Sequence, residues 1–168
     1  MRKITTLLTL VILSAGVARA QSNWVNYKID DKLSVKFPHQ PAVLEEHSVY
    51  AKDGDSTLYM VASIDFAKIP QKLDSAQLAA VAPTMEFANE FKGGMLSQMP
   101  GSTLGDVTIG KWNGYTSYTM DGGNAANKQK LYTFMVLIGT KIYSLMAIMP
   151  ENYSTSGKSS FFGSLTLN

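Results

Sequence analysis

KLYTFMVLIGTKIYSLMAIM, residues 130–149, decides the fold of this chain. Gly139-Thr140 at its middle is a two-residue hairpin signal with glycine leading, so the stretch reads as strand, turn and strand. In the first strand the even positions are Tyr132, Phe134, Val136 and Ile138, and the odd positions are Leu131, Thr133, Met135 and Leu137. Successive strand side chains point to opposite faces, so both faces here are largely apolar. The second strand repeats the pattern, with Ile142, Met146 and Ile148 against Tyr143, Leu145 and Met149. An antiparallel sheet wet on one side alternates polar with apolar residues. This hairpin does not alternate, so both of its faces must be covered.

The flanking sequence supplies the covers. Trp24 to Ile29 and Lys32 to Phe37 read as a hairpin about Asp30-Asp31, with Leu33, Val35 and Phe37 on one face. Pro38 and Pro41 end it. Val43 to Ala51 and Thr57 to Phe66 read as the next pair, joined by the turn-rich segment 52–56. From Asp74 to Gln98 the period becomes helical, with Leu78, Val81, Met85, Ala88, Phe91 and Met95 on one stripe. Asp74 is placed to cap it, and Pro83 must kink or split it. Gly93-Gly94 weakens its far end and Pro100-Gly101 stops it. Thr103 to Ile109 and Tyr115 to Met120 then flank the segment 110–114. DGGNAAN, residues 121–127, is the longest irregular stretch. Residues 154–163 read as a short helix and Leu165 to Leu167 as a last extended piece. The long helical segment covers one face of the central hairpin, and the terminal helix or the first hairpins cover the other. The expectation is an α+β fold, an antiparallel sheet sandwiched between helices.

Residues 1–20, MRKITTLLTLVILSAGVARA, read as a cleaved signal peptide, with Arg2 and Lys3 at the start, a short apolar run from Leu7 to Leu13 and Ala18-Arg19-Ala20 before the cut. That run is too short to span a bilayer. Residues 21–168 are then one globular domain starting at Gln21. With the leader go Arg2, Lys3 and Arg19, which turns a formal charge of +2 into about −1 and leaves no arginine. A basic nucleic-acid surface is therefore not expected, nor is strong attraction to anionic lipid. The lack of the bidentate arginine fork speaks against phosphate-transfer chemistry. Cysteine is absent, which removes disulfides, thiol nucleophiles, thiolate metal sites and the acylated cysteine of a bacterial lipoprotein. The expected product is soluble, periplasmic or secreted, with no stable membrane insertion after cleavage.

Several short pieces carry a resemblance. Val35-Lys36-Phe37-Pro38 closes the early hairpin, Gly110-Lys111-Trp112-Asn113-Gly114-Tyr115 is a glycine-flanked turn, Leu137 to Tyr143 forms the central turn, and Phe161-Phe162-Gly163-Ser164-Leu165 ends the chain. In this order the chain resembles the PsbP-like superfamily of small exported or organellar α/β/α sandwich proteins and its bacterial branch of unknown function. The resemblance implies an antiparallel sheet between helices. It also implies an accessory, non-enzymatic role, since one branch of the superfamily assists photosystem II and another binds a small GTPase. It carries over no site residue.

No catalytic constellation, cofactor motif or metal set stands out. Gly157-Lys158-Ser159 lacks the earlier glycine of a phosphate loop, because Asn152 holds that position. His39 lies between prolines and reads as a solvated turn residue. Glu45 and His47 would share one strand face and give half of a zinc set; exposed edge-strand polarity is the better account of them. Met95 with Met99 and Met146 with Met149 read as packing rather than Cu(I) ligands. Glu86 and Glu90 read as a solvated helix face. Asp53-Gly54-Asp55 and Asp121-Gly122-Gly123-Asn124 are turns lacking the rest of a calcium loop. Asn152-Tyr153-Ser154 is a formal glycosylation sequon. Trp112 and Tyr115, at a turn tip, are the candidate contact residues; the alternative is that they pin the turn to the sheet.

The sequence points to a binding or accessory module of the bacterial cell envelope with a protein partner. Two other readings carry structural requirements. A small periplasmic hydrolase needs His39 or His47 beside a carboxylate or hydroxyl in a pocket. A carrier of a small apolar ligand needs an apolar cavity of about 300 Å³ or more between sheet and long helix.

Overall fold

The computed structural model describes residues 24–70, 72–153 and 156–168. Residues 1–20, read from sequence as a signal peptide, lie outside the described residues, and so does Ser154 of the sequon. The elements in order are β1 (Val25–Lys28), β2 (Leu33–Phe37), β3 (Ala42–Glu45), β4 (Ser48–Lys52), β5 (Leu58–Asp65), α1 (Ser75–Val81), α2 (Met85–Gln98), β6 (Thr103–Leu104), β7 (Thr108–Trp112), β8 (Tyr115–Asn124), β9 (Gln129–Ile138), β10 (Lys141–Pro150), α3 (Ser156–Gly163) and β11 (Thr166–Leu167).

Strands β9 and β10 form the centre of an eight-stranded antiparallel sheet ordered β3-β4-β5-β10-β9-β8, with β6 and β7 both along the outer edge of β8. The turn is the two-residue connection Gly139-Thr140, with Lys141 opposite Ile138 and Gly139 at φ +64°. A second sheet, β1-β2-β11, has three strands. Its middle strand buries Leu33, Val35 and Phe37 completely.

The double covering of the central hairpin is observed. On one face Val136, Ile138, Tyr143, Leu145 and Ala147 pack with Leu33, Val35 and Phe37 of the small sheet and Phe161 of α3. On the other, Leu131, Met135, Leu137 and Ile142 pack with Leu78 of α1, Ala82 at its end, and Phe87 and Ala88 of α2. Each large aliphatic or phenylalanine side chain buried here is worth about 2 kcal/mol, an alanine well under half of that. The fold is therefore α+β, with the sheet between α1–α2 and a second layer in which α3 and the small sheet share the covering. Both candidates for the second cover take part, because β2 and α3 each bury only part of an apolar stripe.

Pro83 splits the helical segment. Asp74 caps α1: its Oδ1 accepts from the Ala76 and Gln77 amides at 2.8 Å, while Gln77 Oε1 accepts from the Asp74 amide at 2.9 Å. This reciprocal box contributes about 1 kcal/mol. Proline has no N–H to continue the ladder, and Thr84 starts α2 by accepting from the Phe87 amide. The far end is not lost at Gly93-Gly94; α2 runs through both to Gln98.

Three boundaries differ from the sequence expectation. The segment 43–51 is not one strand but the hairpin β3–β4, turning at Glu46-His47. Glu45 therefore ends a strand and His47 lies in a turn, so they do not share a strand face. Thr103 to Ile109 is likewise broken between β6 and β7. The segment 121–127 is half strand: Asp121 to Asn124 extends β8 opposite Gln129 to Tyr132. Gly122 permits this, because a side chain there would overlap the Thr103 carbonyl oxygen of the neighbouring strand. The local sequence is poor in strand formers, and the pairing with β9 on one side and β6 on the other overrides it.

Candidate functional site

Trp112 and Tyr115 are brought together at the end of the β7–β8 hairpin. Asn113 and Gly114 form its two-residue turn with φ +49° and +85°, the positive pair that favours Asn-Gly. Trp112 stands directly opposite Tyr115, and Lys111 opposite Thr116. Opposed residues share a face, so the aromatic pair lies on one side of the hairpin and Lys111 with Thr116 on the other. Trp112 is half-buried and packs edge-on against Phe134, with ring centroids 6.4 Å apart. Tyr115 is 37% exposed. Of the two, Trp112 pins the hairpin to the sheet and Tyr115 is presented to solvent.

Beside this hairpin end lies an open cleft of about 210 Å³, lined by Ser75, Ala79 and Ala82 of the α1 region, by Lys111, Tyr115 and Thr116, and by Leu137 and Gly139 of the central turn. Three elements distant in sequence build it. The Tyr118 hydroxyl donates to the buried Ala82 carbonyl at 2.7 Å, tying β8 to the end of α1. Burial pushes the Tyr118 hydroxyl up to about 12, so it stays a neutral donor. The Lys111 ammonium donates to Thr116 Oγ1 at 2.9 Å. Small side chains at Ala79, Ala82 and Gly139 leave the space, and the lysine gives it one positive group. Sequence reading marked the hairpin residues but had no signal for α1 or Gly139 as walls.

A second open cleft, about 360 Å³, lies between Trp24, Lys36 and Ser159, Ser160, Gly163 and Ser164. Ser164 is already committed there: its hydroxyl donates to the Phe161 carbonyl and accepts from the Lys36 amide.

The charged groups that are strongly perturbed hold layers together. Asp30 sits in the β1–β2 turn. Partial burial disfavours its charge, but hydrogen bonds from the Tyr143 hydroxyl, the Lys32 amide and Lys141, with the charge of Lys141, overcome this and hold the carboxyl at about 2. The distances are 2.6 Å from Tyr143, 2.8 Å from Lys32 and 2.9 Å from Lys141. Burial and the facing Asp30 push the Tyr143 hydroxyl well up. At the β4–β5 turn the Tyr59 hydroxyl donates to Asp53 Oδ2 at 2.8 Å, a bond within the large sheet.

Neither histidine meets the requirement of a hydrolase. His39 is exposed, with Nε2 2.9 Å from the Lys52 carbonyl oxygen and Nδ1 3.0 Å from that of Gln40. His47 is exposed and lies 3.7 Å from Glu46. Neither lines either cleft. Among the described residues no group of three His, Asp or Glu side chains is arranged to hold a metal ion. Lys158 lies over the Tyr132 ring at 3.7 Å, on a helix rather than in a phosphate loop. The space between sheet and α1–α2 is filled by Leu78, Ala82, Ala88 and Tyr118, each almost completely buried, so the cavity required of an apolar-ligand carrier does not lie among them. Among the described residues no helix is long and apolar enough to cross a membrane.

The fold has known counterparts. The solution structure of cyanobacterial PsbP from Synechocystis sp. PCC 6803 superposes with a TM-score of 0.57 over 88% of this chain and 94% of that one, at 14% identity. A Bacteroides thetaiotaomicron protein superposes with a TM-score of 0.53 over 88% of this chain at 8% identity; this chain spans about half of its length, 49%. The fold is thus PsbP-like. No family model matches the chain, and no curated protein matches it in sequence.

Proposed function

We propose that the protein is an exported, non-enzymatic accessory module of the bacterial cell envelope that binds a partner protein at the β7–β8 hairpin end. The observation that carries this reading is the division of labour at that end. Trp112 anchors the hairpin on one face and leaves Tyr115 exposed there, while on the opposite face Lys111 and Thr116 line the small cleft against α1. An exposed aromatic at the tip of an anchored hairpin is a group that gives contact energy when a partner covers it. The PsbP-like fold supports it, and export rests on the leader of residues 1–20.

The experiment is capture from envelope extract with the exported protein as bait, wild type against Tyr115→Ala and Lys111→Ala. Partners enriched by the wild type and lost with either variant support the reading. A partner retained equally by both variants removes the hairpin end from the interface. Turnover of an ester or glycoside panel by the purified protein overturns the non-enzymatic role. Export is checked by amino-terminal sequencing of the periplasmic fraction, where a start at Gln21 is expected.

A further inference from the structure

The larger of the two open clefts, about 360 Å³, lies where α3 meets the small sheet. Its volume falls in the range of small-ligand sites. Trp24 stands just before β1, Lys36 is on β2, and Ser160 and Gly163 are on α3. Ser164 Oγ accepts from the Lys36 amide at 2.9 Å and so holds the end of α3 against β2.

Three kinds of group meet in this cleft. Trp24 is half-buried and packs edge-on with the buried Tyr59, ring centroids 5.2 Å apart, which leaves part of an anchored indole on the cleft. Lys36 is exposed, and among the described residues its ammonium has no hydrogen-bond or ion-pair partner. The Ser160 hydroxyl, half-buried, has none either. Gly163 keeps the space open, since a Cβ there would meet nothing within 4 Å. No carboxylate is among the lining residues.

Each group selects a feature of a ligand. The negative face of an indole attracts the polarised C–H face of a saturated ring. A hydroxyl both donates and accepts, which suits a ligand that carries hydroxyls. One unpaired ammonium with no carboxylate beside it suits one negative charge. An apolar ligand would desolvate the ammonium and the hydroxyl without replacing their hydrogen bonds. A bare inorganic anion would leave the indole uncovered.

We propose that this cleft binds a sugar ring bearing a carboxylate, a uronic acid unit, with the ring on Trp24, the carboxylate on Lys36 and ring hydroxyls on the α3 serines. It shares no residue with the cleft at the β7–β8 hairpin end, so the proposal stands or falls independently of the partner reading.

The test is titration of the purified protein with glucuronate, glucose and acetate, each to about 50 mM, followed by the indole N–H resonances. The chain has two tryptophans, so Trp112 serves as the internal control. Glucuronate should shift the Trp24 signal saturably, with a dissociation constant of about 1–10 mM for one ring in an open site, and leave Trp112 unmoved. Glucose and acetate should each bind about fivefold more weakly. Lys36→Gln, on an exposed position, should lower glucuronate to the affinity of glucose and leave glucose unchanged. Trp24→Phe, which assigns the two resonances, should weaken both sugars when read by saturation-transfer NMR. No saturable shift of Trp24 with glucuronate overturns the proposal. Acetate binding as tightly as glucuronate overturns the sugar ring, and glucose binding as tightly overturns the carboxylate. A Lys36→Gln protein that holds glucuronate as well as wild type removes the lysine from the site and overturns it too.

Discussion

The Tyr143 hydroxyl donates to Asp30 Oδ2 across 2.6 Å, joining residues 113 positions apart in the chain. One lies in the turn of the small sheet and the other in the central strand of the large one, so the bond locks the two layers in register. Tyr143→Phe removes the donor and leaves a partly buried carboxylate short of a partner. The expected cost is about 2 kcal/mol, read from urea unfolding near neutral pH. A cost below about 0.5 kcal/mol would show that apolar packing and the Lys141–Asp30 pair hold the layers without this bond.

The same carboxyl sets the acid limb of stability. Its folded value of about 2 lies below the ordinary 3.8, so it stabilises the fold above the ordinary value. That stability is lost as the pH falls through the interval towards 2. Asp30→Asn should be less stable than wild type at about pH 6, with the gap closing at about pH 2. Urea midpoints at the two pH values check this, and a gap of constant size would contradict it.

His39 works in the opposite direction. Its ring meets the carbonyl oxygens of Lys52 and Gln40, and an imidazole donates to both only when protonated. Those bonds, the Lys52 one foremost, raise its value above 6.5. A raised folded value gives stability that is complete below 6.5 and lost as the pH rises through the folded value. His39→Gln should therefore cost more at about pH 5 than at about pH 8, by a few tenths of a kcal/mol, because the ring is exposed. Thermal midpoints of the two proteins at each pH provide the measurement.

Two glycine substitutions should have opposite signs. An added Cβ at Gly93 meets nothing within 4 Å on an exposed helical turn, so Gly93→Ala should stabilise by about 0.5–1 kcal/mol. At Gly122 the added carbon overlaps the Thr103 carbonyl oxygen, so Gly122→Ala must push β6 from β8 and cost more than about 2 kcal/mol. Amide exchange at Thr103 and Leu104 should quicken in the second variant only.

The hairpin end can be divided by stability alone. Trp112→Ala should cost about 2 kcal/mol, because its ring packs on Phe134. Tyr115→Ala should change stability by less than about 0.5 kcal/mol, because its ring is presented to solvent. Equal costs would mean that Tyr115 also pins the turn.

Much of the architecture was legible locally. The two apolar faces of residues 131–149 demanded two covers, and Asp74, Pro83 and Gly139-Thr140 announced their cap, break and turn, because each acts on its own few residues. The errors fell at an unmarked local turn and where the decisive partner is remote. Val43 to Ala51 folds back at Glu46-His47, and Asp121 to Asn124 extends a strand because β6 and β9 flank it. The candidate site divides in the same way. Trp112 and Tyr115 were visible as aromatics about a turn, but the walls at Ala79, Ala82 and Gly139 and the tether from Tyr118 to Ala82 leave no mark in sequence.

The sequence by itself thus determined the fold class, the central hairpin, the caps and the residue types that are missing, arginine after Arg19 and cysteine throughout. Only the tertiary structure decided which aromatic is anchored and which is offered, where α1 meets the β7–β8 hairpin, and that Ala42 to Glu45 forms an exposed edge. The reason is the range of the forces. Periodicity, capping and turn conformation are settled within a few residues. Exposure and cleft shape depend on which distant elements pack against each face, and that is fixed only when both layers close over the sheet.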